Sequence, residues 1–241
     1  MFCTNELTQR KSCSVLVATF CAALTTPTTA QVSIPFIIDL GEIRPQDSFA
    51  VEFTVLGCAI GYGSHGGYDA KVTLKVSIEE TDGTVKTFEP FGPFLQPIEG
   101  NINNGVKQRK VLFGIWGPDS KLSLTGRSWK WDGDGNANSN WSHVGKTQNS
   151  VDNPFVVVLR DGDLPPNLSG FEDQASAEEF VAPYIDAATG RMKLTVNQAI
   201  YLFELGTSST NSSGYDLQDA VILMTLAENP VALDATASAH D

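Results

Sequence analysis

Oxygen-bearing side chains gather at two places in this 241-residue chain. The first is Asp132-x-Asp134-x-Asn136-x-Asn138-x-Asn140, in a stretch that also holds Gly133 and Gly135. Calcium takes several oxygen ligands from a flexible backbone, and alternating Asp and Asn in a glycine-rich loop supply them. The opening positions match an EF-hand loop. The match then breaks, with Ala137 where the sixth position needs Gly and His143 where the twelfth needs Glu. Two readings stand: a looser calcium site completed by distant oxygens, or a surface turn, which Asn, Gly and Ser form without metal.

The second place is a hairpin. Ala199–Gly206 (AIYLFELG) and Leu217–Leu226 (LQDAVILMTL) are apolar runs joined by the polar loop Thr207–Asp216. Glu204 ends the first run, and Asp216 and Asp219 open the second. If the two runs pair as strands, these carboxylates converge at one end, which concentrates like charge unless water or a cation shares it. On a flat strand Asp216 and Asp219 face opposite ways, so Asp216 must lie in the turn for both to reach one ion. The alternative is that the three acids accept loop N–H groups.

Aromatic chemistry is the third possibility. All four tryptophans, Trp116, Trp129, Trp131 and Trp141, fall beside the Asp/Asn stretch. Trp129 and Trp131 share a face of one strand, and indoles exposed on a sheet stack on sugar rings. The other reading makes them core anchors, the usual place for Trp. Signals for catalysis are thin. Glu79-Glu80, Glu172-Asp173 and Glu178-Glu179 are adjacent acids that point apart on a strand and do not flank a bond. Gly63-Ser64-His65-Gly66 lacks the strand–turn–helix setting of a nucleophile elbow, and the three histidines lack metal-ligand spacing.

The elements that position these groups read as strands. Ser48–Cys58 and Ala70–Glu79 alternate apolar with polar residues, and Thr81-Asp82-Gly83-Thr84 is a hairpin turn leading to Val85–Phe88. Val32–Leu40, with Pro35 near its start, suits an edge strand. Further strands are expected at Gln108–Trp116, Lys121–Trp131, Asn153–Arg160, Lys193–Gly206 and Leu217–Leu226, with Asp132–Asn153 left as a polar loop. Ser176 and Glu179 are spaced as a capping box for one short helix near 176–185, and Pro183 limits its length. The expected fold is mainly β, an antiparallel β-sandwich or jelly-roll, in a single domain over 31–227.

Residues 1–30 have the layout of a secretory signal peptide: Arg10 and Lys11, the apolar run Val15–Leu24, then Thr28-Thr29-Ala30. Its removal takes three of the four cysteines and leaves Cys58, which cannot form an internal disulfide. Residues 228–241 read as a disordered tail. The net charge of −12 disfavours nucleic acid and anionic membrane surfaces as partners, and the apolar run near the N-terminus is about half a membrane span. A secreted or cell-surface location follows, without stable membrane insertion.

The hairpin resembles a pattern found in uncharacterised secreted bacterial β-sandwich domains. There a Phe-Glu strand end precedes a Gly/Ser loop and an Asp-aromatic-Asn-Asp stretch that enters a Val-rich strand. The corresponding residues are Phe203-Glu204, Gly206, Ser208–Gly214 and Tyr215-Asp216-Leu217-Gln218-Asp219 before Ala220-Val221, with Leu217 and Gln218 as departures. The resemblance implies export, a β-sandwich, calcium at the acidic cluster and no known activity. The expected function is an exported, non-catalytic, calcium-stabilised module that binds an extracellular glycan or a surface protein. The alternatives are a carbohydrate-binding module using Trp129, Trp131 and Trp141, and third a secreted hydrolase.

Overall fold

The computed structural model of the protein describes residues 34–39, 41–62, 68–131, 137–147, 153–172 and 174–227. The leader stretch 1–30, the tail 228–241, and Asp132, Asp134 and Asn136 lie outside the described residues. In chain order, β1 (Phe36–Asp39) and β2 (Glu42–Pro45) form a hairpin, followed by β3 (Phe49–Gly57). A short ribbon of β4 (Gly61–Tyr62) and β5 (Tyr68–Asp69) leads to β6 (Lys71–Glu79) and β7 (Val85–Phe88). Next come β8 (Arg109–Trp116), β9 (Lys121–Trp131), β10 (Ala137–Lys146) and β11 (Val156–Leu159). Helix α1 (Ala177–Val181) runs into a 3-10 turn at Ala182–Tyr184, then the ribbon β12 (Ile185–Asp186) and β13 (Arg191–Met192), and last β14 (Gln198–Phe203) and β15 (Ala220–Ala227).

Every pairing is antiparallel. The first sheet has the order β1-β2-β9-β6-β7, with β10 also on β9; the second runs β11-β14-β15-β3-β8. The alternation in β6 turns Val72, Leu74, Val76 and Ile78 inward, against Phe53, Val55, Tyr201 and Ile222 of the second sheet, in one buried apolar cluster. Two sheets facing across such a core make a β-sandwich. The turn between β6 and β7 is the Asp-Gly hairpin, where Gly83 has φ 84°, the left-handed region that an L side chain avoids.

The central strands β14 and β15 of the second sheet are buried on both faces. Ile200 and Leu202 of β14 and Val221 and Leu223 of β15 point away from the sandwich core into a second cluster, closed by Ala177 and Val181 of α1 and by Met192 and Leu194. That explains why these two strands read as continuous apolar runs rather than alternating ones. Helix α1 carries the capping box: Ser176 Oγ accepts from Glu179 N, and the Glu179 carboxylate accepts from Ser176 N.

The main departure from the sequence reading is β10. A single loop was expected from Asp132 to Asn153, but residues 137–146 pair with the long β9 through two register irregularities. Asn and Ser have low strand propensity, and an exposed partner edge overrides it. Asn138 therefore belongs to a strand, and the alternating Asp/Asn series is not one continuous loop. β2 and the two short ribbons were likewise not anticipated.

Candidate functional site

The register of β14 on β15 puts Phe203 opposite Ala220, so the next residues outward, Glu204 and Asp219, meet at the same end of the pair. The loop between them returns over this end. Glu204, Asp216 and Asp219 are 1%, 1% and 3% exposed. The sequence expectation that the three acids converge describes the geometry, and Asp216 sits in the turn before β15, as strand parity requires.

Glu204 ties both ends of the loop together. Its Oε1 accepts from the N–H groups of Gly206 and Thr207, each at 2.9 Å, and its Oε2 accepts from those of Asp216 at 2.9 Å and Leu217 at 3.3 Å. Leu217 has φ 59°, a left-handed conformation that costs a branched side chain energy and persists where its surroundings fix it. Asp216 connects the loop to the segment covering the second sheet: its Oδ2 accepts from Phe171 N at 3.0 Å and from Gln218 Nε2 at 2.8 Å. Asp219 Oδ2 accepts from Leu205 N, and the Cys58 thiol donates to the Asp219 carbonyl oxygen at 2.6 Å. Cys58 is thus a half-buried thiol engaged with backbone, in keeping with the structural role read from its apolar surroundings.

No ion pair among the described residues involves any of these acids. Burial and the neighbouring Glu204 carboxylate raise Asp216 from 3.8 to about 6, against the opposing N–H bonds of Phe171 and Gln218. Asp219 is pushed well up by burial and then by the neighbouring Glu204 carboxyl, with Asp216 adding to it. A cleft of about 290 Å³ opens above, with Asp216 and Asp219 in its wall together with Phe171, Gln174, Thr207 and Ser212. A Cβ on Gly206 would stand 3.3 Å from both Asp219 Oδ2 and Glu204 Oε1, a tight contact that the glycine spares this corner.

The hydrogen bonds make the loop-anchoring role of the acids plain. Among the described residues, no group of three His, Cys, Asp or Glu side chains is arranged to hold a metal ion. Glu204 has both oxygens on backbone N–H groups and does not line the cleft, whereas Asp216 and Asp219 do. Sequence reasoning missed Phe171, Gln174, Gln218 and Cys58 as supports. Only Gln218, between two acids, carried a local signal.

The tryptophans separate. Trp129 is 2% exposed, its Nε1 donates to Thr73 Oγ1 at 3.0 Å, and Thr73 Oγ1 donates to the Phe94 carbonyl. It is a buried anchor under the 89–103 loop, and its ring is not offered to a sugar. Trp116 is buried too, packed on Phe49 and Phe88 with ring centroids 5.5 Å apart in each pair. Trp131 and Trp141 lie on β9 and β10, and their side chains, like that of Asn138, are outside the described set.

Comparison with protein-family models, curated proteins and solved structures finds no match for this chain. No helix among the described residues is long and apolar enough to cross a membrane.

Proposed function

We propose that this protein is an exported, non-catalytic binding module of the cell surface or matrix, with calcium holding its hairpin loop. The observation that carries the reading is the pair Asp216 and Asp219, buried in the wall of a cleft with no ion-paired cation among the described residues. Calcium accepts hydroxyl and carbonyl oxygens as well as carboxylates, so two acids joined by Thr207, Ser212 and loop carbonyls suffice as a donor set. Glu204 then holds the loop rather than the ion. The leader pattern of Arg10, Lys11 and Val15–Leu24 supports export.

The test is thermal unfolding of the full chain at pH 7 in EGTA and then in millimolar calcium. Saturation near a hundred times Kd corresponds to about 2.7 kcal/mol, a rise of roughly 5 to 10 °C for a chain this size. Asp216→Asn and Asp219→Asn should abolish the rise. An unchanged midpoint would remove calcium and leave the acids as loop anchors.

A hydrolase is the second reading, favoured by one observation. Two carboxyls with raised proton affinity beside a cleft have the disposition of an acid–base pair. Turnover on glycan or ester panels that is lost in Asp219→Asn would establish it. The tryptophan-platform reading no longer has Trp129 and depends on Trp131 and Trp141.

A further inference from the structure

The outer face of the first sheet contradicts the charge of the whole chain. Lys75 on β6 is paired in register with Thr125 on β9, and Thr125 with Lys146 on β10, so the three form a row straight across three strands. With strands about 4.8 Å apart, the two lysines stand on backbones about 10 Å apart, flanking the Thr125 hydroxyl. The next row sets Ser77 beside Ser123, and the third sets Glu79 beside Lys121. These residues line one groove of about 160 Å³.

The acids of the groove do not cancel the lysines of the first row. Glu79 is ion-paired to Lys121 at 2.7 Å, and the lining's three lysines, Lys75, Lys121 and Lys146, outnumber its two acids, Glu42 and Glu79. Lys75 and Lys146 have no ion-pair partner among the described residues. Lys75 is held by the Phe94 ring, its Nζ 5.0 Å from the centroid, while Lys146 is exposed. Flexible four-carbon stems let both ammonium groups converge on one anion above Thr125.

We propose that this groove binds the carboxylate of a uronic-acid residue in an acidic polysaccharide, Lys75 and Lys146 taking the charge and Ser77, Ser123 and Thr125 the ring hydroxyls. The proposal rests on the binding-module reading but not on calcium. Three features select the class. The groove is smaller than the cavities that enclose drug-sized ligands, which suits one ring of a chain lying across the sheet. Its hydroxyl rows match a polyol. The net charge of −12 repels duplex nucleic acid, with one phosphate charge per about 1.7 Å of helix axis, more strongly than a polysaccharide with one carboxylate per sugar ring, and each ring also brings hydroxyls for the serine and threonine rows.

Affinity electrophoresis of the full chain in EGTA, through gels holding polygalacturonate, neutral dextran or duplex DNA, tests this. Polygalacturonate should retard the protein, more weakly as salt rises, and dextran should not. Lys75→Gln/Lys146→Gln should weaken retardation at least tenfold with an unchanged unfolding midpoint. The single Lys146→Gln, at an exposed position, should weaken it partly, and Lys75→Arg/Lys146→Arg should retain it. The assignment is overturned if polygalacturonate does not retard the wild type, if the glutamine variants bind as well, or if duplex DNA binds equally. Because EGTA is present throughout, failure of the calcium reading leaves this result interpretable.

Discussion

At the scale of single residues, the hairpin end shows how a fold accommodates acids that burial disfavours. Glu204 accepts four backbone N–H groups and so ties together the two ends of the loop. Asp216 and Asp219 meet the same charge and respond by holding protons more tightly. The folded Asp216 keeps its proton to about pH 6 and the unfolded chain only to 3.8. Between those values the folded state binds more protons, so this contribution to stability is full below the lower value and is lost as pH rises through the upper. Asp216→Asn should therefore gain stability relative to wild type as pH goes from 4 to 7 in calcium-free buffer, as read by urea unfolding. A difference that does not vary with pH would show that Asp216 does not titrate in this window. The positions of these acids were legible in the sequence, since they bracket a polar loop between two apolar runs. Their partners were not, because Phe171 and Cys58 reach them from remote parts of the chain.

At the scale of elements, the second sheet depends on being covered twice. Leu202 is fully buried on the face turned away from the sandwich, among Val181, Met192 and Leu194. Leu202→Ala should cost about 2 to 5 kcal/mol in urea unfolding, a loss set by how far α1 and the β12–β13 ribbon can close over the cavity. A cost under about 1 kcal/mol would mean that this covering layer is not packed as a core. Periodicity anticipated most of the strands, and the capping box located α1 within a residue or so. β10 was missed for a reason that applies to any strand of its kind: Asn- and Ser-rich residues form a strand only where a paired neighbour supplies the ladder, and β9 is long enough to do so.

At the scale of the whole molecule, both sheets contribute to one apolar cluster, from Val72 and Leu124 on one side to Phe53 and Ile222 on the other. Such a core cannot be half lost, so far-ultraviolet and near-ultraviolet signals should report coincident transitions on urea unfolding. Separate midpoints would show two independently folding layers. The sequence alone determined the class of the fold, the Asp82-Gly83 hairpin turn, the helix cap and the gathering of acids beside the 207–216 loop, because each is written in local pattern or in two runs joined by one short loop. Tertiary structure decided the sheet order, the burial of Trp129, the N–H groups each carboxylate accepts and the row of Lys75, Thr125 and Lys146. Those are products of strand pairing, which sets side by side residues whose order in the chain carries no mark of their meeting.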